Sequence, residues 1–270
     1  MAARRFAVGW LLALAAACAE KTEPGGSPRP LPPAPLVPVV GRADAGGPED
    51  GDPASRIAPA PVLGEEPPAK AIELAIDGRH ARLGDEDHPL DSGEAIRRLR
   101  PRLEAHRPVL LVARGDAFLA QAAPVLEALD RAGAEVWLQH PSESRVAFPV
   151  LLRDEAAFQR WLDEPKPGKI RVIQRADGFE LMTNIGKLPG ADPNGPTAPI
   201  RGGQMDLATL RRGLIRLQER FPEAGDACLV PSFGTELQAV ARALSGFWSG
   251  PGEPVFSQVC LVYPAPRAAR

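Results

Sequence analysis

Between residues 70 and 140 the apolar positions change their spacing in a definite order. Ile72, Leu74 and Ile76 alternate with Glu73, Ala75 and Asp77, the pair Asp77-Gly78 supplies turn chemistry, and Ala81 and Leu83 alternate back. A period of two on either side of an Asp-Gly pair predicts a β-hairpin, because successive strand side chains point to opposite faces. Ile96, Leu99 and Leu103 then share one face of a helix that Asp91 and Glu94 are placed to cap, with Pro101 limiting its length. The segment RPVLLVAR (107–114) is short and continuously apolar, which predicts a buried strand. Phe118, Ala122, Val125, Leu126 and Leu129 recur at helical spacing, Gly133 closes that helix, and AEVWLQH (134–140) reads as a last strand. The order is ββαβαβ.

The same order returns about a hundred residues on. KIRVIQRADGFELMTNI (169–185) carries a second Asp-Gly pair between alternating runs, and Asp206 is placed to cap a helix bearing Leu207, Leu210, Leu214, Leu217 and Phe221. DACLVPS (226–232) reads as a buried strand, Leu237, Val240 and Leu244 as a short helix, and FSQVCLVYP (256–264) as the closing strand. The expectation is an internal repeat: an α+β protein of two tandem ββαβαβ units, residues 70–152 and 169–263, each a mixed β-sheet with two helices on one face. Residues 153–168 connect them, with Val146 to Leu152 as a further strand and Asp154 to Leu162 as a short helix. The second unit differs by a long loop, 186–204, and by an inserted turn at 246–254. A unit of roughly 70 to 95 residues buries only about 60 to 65 per cent of its unfolded surface, so packing two together adds core.

The first 69 residues follow a different pattern. Arg4 and Arg5 precede an apolar run from Phe6 to Ala17, too short at about 1.5 Å per residue to cross a hydrocarbon core of about 30 Å, and Ala15, Ala16 and Ala17 stand directly before Cys18. The arrangement resembles a bacterial lipoprotein signal: residues 1–17 removed and Cys18 lipidated as the mature N-terminus, although Ala15 stands where such signals usually carry a larger residue. Residues 18–69 are rich in Pro and Gly and predict a disordered, partly extended linker with an r.m.s. reach of about 40 Å or more. Residues 264–270 form a tail. With 32 Lys and Arg against 34 Asp and Glu, the formal net charge is −2, and nothing in it recommends nucleic acid as a partner. Apart from Cys18, the cysteines are Cys228 and Cys260. They fall in the third and fourth strands of the second unit, at places filled by roughly Leu110 and Trp137 in the first. A disulfide and two buried thiols both suit those positions.

The first unit resembles the periplasmic domain of the ExbD/TolR family of biopolymer-transport proteins. Asp77-Gly78, Val109 to Val112, Asp116, Val125 to Leu129, Ala132-Gly133 and Val136 to Leu138 stand where that family has its hairpin turn, its strand ending in aspartate, its second helix and its closing strand. In the second unit the likeness is one of element order, since Pro231, Ser232 and Phe233 replace the aspartate-bearing strand end. What the resemblance implies is the family's interaction module, twice over, without the membrane helix bearing a buried carboxylate that proton coupling requires. The function expected is non-catalytic binding or scaffolding in the bacterial cell envelope. The chain would be lipid-anchored with periplasmic domains, and its partners a cell-envelope protein or peptidoglycan, the membrane through the N-terminal lipid, or a second copy in a homodimer. An uncleaved, membrane-embedded accessory subunit of an ion-driven transport system and an unrecognised periplasmic hydrolase are the alternatives.

Motifs for chemistry are sparse. His80, His88, His106 and His140 are scattered, and GDEDHP (84–89) puts carboxylates and one imidazole in a turn, which reads as a solvated acidic loop before it reads as a metal site. No phosphate-cradling glycine loop and no triad order is recognisable, so no catalytic, cofactor-binding or metal-ligating residue is assigned.

Overall fold

A computed structural model of the chain describes residues 62–90, 93–103 and 107–265. Cys18, the signal 1–17, linker residues 18–61, Asp91, His106 and tail residues 266–270 lie outside the described residues.

The first hairpin forms where the alternation places it: β1 (Ile72–Ile76) pairs antiparallel with β2 (His80–Leu83), and β3 (Glu86–Pro89) adds to β2. The acidic stretch 84–89 is therefore a turn and an edge strand, not a loop throughout. After α1 (Glu94–Leu103), β4 (Val109–Ala113) pairs parallel with β1, and after α2 (Leu119–Arg131), β5 (Val136–His140) pairs parallel with β4. The long strand β6 (Glu143–Asp154) follows, then α3 (Glu155–Asp163), whose N-terminus the Asp154 carboxylate caps by accepting the Ala157 N–H at 2.5 Å.

A second antiparallel hairpin, β7 (Ile170–Arg175) with β8 (Gly178–Thr183), opens the remainder of the chain. The stretch read as the loop 186–204 folds back on β8 through β9 (Gly186–Lys187), β10 (Ala198–Arg201) and β11 (Gln204–Met205). Buried Thr197 ties it down, its hydroxyl accepting the Leu181 N–H and donating to the Leu188 carbonyl. Then come α4 (Leu207–Arg220), β12 (Asp226–Pro231) parallel to β7, α5 (Leu237–Leu244), a 3-10 turn at Ser245–Phe247, a small hairpin of β13 (Trp248–Gly250) and β14 (Glu253–Pro254), and β15 (Gln258–Tyr263) parallel to β12.

The expectation of two sheets gives way to one: thirteen strands are continuous among the described residues, and the architecture is α+β with five α-helices. The cause is β6. Its first part pairs antiparallel with β5, from Glu143 to Val150, and its last residues, Leu151 to Asp154, pair parallel with β15. The boundary placed after residue 152 thus falls inside a strand, and residues 58–270 form one compact unit.

Alternation along the strands separates two faces. Ile72, Leu74, Val109, Leu111, Val136, Leu138, Phe148, Val172, Leu229 and Leu261 share one continuous core with α1, α2, α4 and α5. On the opposite face Cys228, Cys260 and Val262 pack under Trp161, with Phe158 and Leu162 beside it, all three from α3. The last residues assigned to the linker belong to the body as well. Leu63 is buried in the main core, Glu65 exchanges both backbone hydrogen bonds with Ala147 of β6, and a Cβ on Gly64 would meet Val146 Cγ1 at 2.4 Å. A larger residue than glycine would push this segment off β6.

The two Asp-Gly turns differ. Gly178 sits at φ +146°, and a Cβ there would meet the Ala198 carbonyl at 2.3 Å, whereas the nearest atom to a Cβ on Gly78 would be Asp116 Oδ1 at 2.8 Å, the end of a movable side chain. Gly178→Ala is expected to cost at least about 2 kcal/mol in urea unfolding, and Gly78→Ala less than about 1 kcal/mol. His140 offers a second prediction. It is buried, Nδ1 faces the Ser142 N–H and hydroxyl, and burial followed by the Arg242 charge lowers its pKa, against an opposing effect of Glu143. A histidine depressed in the folded state supports stability above its unfolded pKa of about 6.5 and loses that support as pH falls below it. Stability should therefore decline as pH drops from about 6.5 toward 5, and His140→Gln, followed by chemical denaturation across that range, should remove this part of the decline.

Candidate functional site

In a sheet with parallel strands the loops leaving the carboxyl ends are where ligands are held. Here five strands send those loops to one groove of about 1130 Å³: Gly78 to His80 follow β1, Phe118 follows β4, Glu155 follows β6, Phe233 and Gly234 follow β12, and Pro264 and Ala265 follow β15. Pro89 of β3, Leu90 and Gly93 after it, Ile96 of α1, and Ala120, Gln121 and Pro124 of α2 complete the wall.

The two loops at the centre of the groove close each other's hydrogen bonds. Helices leave their first N–H groups without partners inside the helix. Leu119, the first residue of α2, donates to the Thr235 carbonyl at 2.9 Å, and Leu237, the first of α5, donates to the Ala117 carbonyl at 2.7 Å. Ala120 N–H reaches the Phe233 carbonyl at 3.3 Å, and Gln121 Oε1 accepts the Phe118 N–H at 3.0 Å. Each helix start is thus capped by the loop before the other, although neither cap residue, Phe118 or Glu236, has a side chain suited to the task. Behind this exchange, Tyr263 at the end of β15 donates its hydroxyl to Asp130 Oδ2 of α2 at 2.8 Å. Burial first, then the Asp130 carboxylate, pushes the phenol far above its usual range, so it stays a donor.

The rim at β1 is equally fixed. The Asp77 carboxylate accepts the N–H groups of Arg79 and His80, at 2.9 and 2.6 Å. The Arg79 bond, and after it the His80 bond and nearby charges, outweigh partial burial and hold that carboxyl below the usual Asp range. Arg79 is exposed at the rim and Glu155 is exposed across the groove, so its two permanent charges are of opposite sign. Between them the surface is aromatic, aliphatic and proline-rich, with Phe233 49% exposed. The described lining residues include no Ser, Thr, Cys or Lys.

The residues singled out from the sequence lie elsewhere. Cys228 and Cys260 face each other in register across β12 and β15 and are bonded, with Cα atoms 4.4 Å apart, and Leu110 faces Trp137 across β4 and β5. His88 is buried in β3 with Nε2 3.3 Å from Glu86, His140 lies at the end of β5, and among the described histidines only His80 reaches the groove. Among the described residues no three His, Cys, Asp or Glu side chains gather as a metal site would need. Phe118 and Phe233 were not legible as a pair. Their signal is positional, each standing in the loop after a buried strand and before a helix, but both read as core or connection when taken singly. The chain matches no protein-family model and no curated protein.

The Tyr263–Asp130 contact ties the last strand to α2 beneath the groove. Tyr263→Phe should lower unfolding free energy by about 1 to 2 kcal/mol, measured by denaturant titration at pH 7, since a partly buried carboxylate loses its donor.

Proposed function

We propose that this chain is a non-catalytic, lipid-anchored binding or scaffolding protein of the bacterial cell envelope, related in architecture to ExbD/TolR components, and that it binds through the groove between Phe118 and Phe233. The observation that carries the reading is the groove itself: a preorganised, mostly apolar depression with two aromatic rings and opposed charges at its rims, suited to gripping an extended chain or cell-wall strand. Nothing in its lining pairs a nucleophile with a base.

The tandem reading has support in the registers. Leu74 faces Leu83 in the first hairpin as Val172 faces Leu181 in the second, Ile72 faces Val109 as Ile170 faces Ala227, and Leu110 faces Trp137 as Cys228 faces Cys260. The exchange of caps between α2 and α5 has the reciprocity of a two-fold interface, in which one residue's contact is returned by its equivalent. On this reading the chain is an internal dimer whose groove forms at the join. The lipid anchor rests on the segment before Cys18, and the disulfide accords with an oxidising compartment. Among the described residues no helix is long and apolar enough to cross a membrane.

The test is retention of the purified chain on isolated peptidoglycan and on defined envelope-protein fractions. Phe118→Ala with Phe233→Ala should weaken retention at least about tenfold, because truncating a central aromatic anchor costs about 2 kcal/mol or more. Equal retention of variant and parent would remove the groove from the proposal, and no retention of the parent would remove the binding role. Cys18→Ser should release the chain from membranes, read by fractionation and by the mass of the mature N-terminus.

A further inference from the structure

On the other face of the sheet, a polar cleft of about 420 Å³ opens where β12 and β15 begin. Asp226 and Gln258 face each other at its mouth, and two residues further along the same strands, on the same face, are Cys228 and Cys260. Arg153 of β6 stands between cleft and sulfurs. One end of its guanidinium pairs with Asp226 at 2.9 Å, while Nη1 points at Cys228 Sγ at 3.2 Å and Cys260 Sγ at 3.6 Å. Its plane lies over the Trp161 ring at 4.9 Å, and buried Lys169, paired with Glu164, approaches the same ring at 4.6 Å.

This placement is unequal toward the two states of the cysteines. A bridged sulfur is a weak acceptor and gains little from a guanidinium, whereas a thiolate beside a permanent cation gains a charge-assisted hydrogen bond. Surroundings that stabilise the reduced form raise the reduction potential of the pair. We propose that Cys228–Cys260 is a redox-active centre, poised by Arg153, that exchanges with a dithiol-bearing reductant reaching it through this cleft.

In the exchange, one thiolate of the reductant attacks Cys260 Sγ, forming a mixed disulfide and releasing Cys228 as a thiolate beside the nearer Arg153 Nη1. The second thiolate of the reductant then attacks its own mixed-disulfide sulfur and releases Cys260. Two electrons pass to this chain, the reductant leaves as its disulfide, and the two protons of its thiols are available to the two cysteine sulfurs. Both cysteines are fully buried, so α3 has to lift first. What holds it there is Trp161, its one buried residue, with Phe158 and Leu162 partly buried beside it.

The experiment equilibrates the folded full chain with reduced and oxidised dithiothreitol at fixed pH, quenches with acid, alkylates, and maps the label on Cys228 and Cys260 by mass. Both cysteines should be reduced without unfolding, followed in parallel by circular dichroism. Arg153→Met should shift the equilibrium about tenfold toward the disulfide, about 30 mV for a two-electron couple, and Arg153→Lys should restore most of that shift. Trp161→Ala should speed exchange at least about tenfold with the equilibrium little changed, which keeps the test decisive if Arg153→Met fails to fold. A folded chain that resists excess dithiothreitol, while the urea-unfolded chain is reduced at once, would overturn the proposal. So would an Arg153→Met equilibrium equal to that of the parent, or a Trp161→Ala exchange rate equal to it.

Discussion

A strand has two hydrogen-bonding edges, and β6 gives them to different halves of the chain. Along its first part it completes the half-sheet ending in β5, and along its last residues it completes the half-sheet ending in β15. Without it both β5 and β15 would be open edges, with unpaired N–H and C=O groups that invite aggregation. The Leu63–Glu65 segment pairs with β6 at Ala147, outside the stretch that β15 covers. Once β6 is shared, the helices of both halves lie over a single core, α2 and α5 come start to start, and their exchanged caps create the groove floor. Fold and site therefore rest on the same strand.

Much of the fold is written in local spacing. Alternation at 72–83 and 170–183, helical spacing at 119–131 and 207–220, and the buried runs at 109–113, 226–231 and 258–263 each name their element, because each reports which face meets the core. What local spacing leaves out is pairing between distant strands. Residues 143–154 alternate less cleanly, so the spacing marks a strand over 146–152 but neither its full length nor its change of partners. The Pro-rich stretch 186–204 reads as a loop because its order comes from Thr197 and the edge of β8 and not from its own periodicity. The facing of Cys228 and Cys260 was inferable from element order, but Arg153, 75 residues from Cys228 in sequence, had no signal connecting it to them. The groove was the least legible feature, because apart from the Asp77-Gly78 turn the loops that assemble it carry no motif of their own.

The two faces of the sheet do different physical work. The helix-covered face holds the apolar core. The other is covered by α3 over β12, β15 and the end of β6, while β4, β5 and β6 keep Leu110, Trp137 and Leu151 there with varying exposure. Trp137 is held in place by its indole N–H bond to Glu135 at 2.8 Å, and Arg114 pairs with Glu73 beside the same strip. Leu110 and Trp137 face each other across β4 and β5 by contact area, and Cys228 and Cys260 face each other across β12 and β15 by a covalent bond.

The sharing of β6 also has a bearing on synthesis. A ribosome makes β6 about a hundred residues before it makes β15, the strand that completes its second edge. Over that interval the emerging chain holds an unfinished sheet margin, and α2 waits for the carbonyls of Phe233 and Thr235 to cap it. Contacts of such long sequence separation are slow to form and leave apolar surface open meanwhile. A chaperone that keeps the chain extended until its last strand has been made would therefore suit this topology better than stepwise folding from the N-terminus.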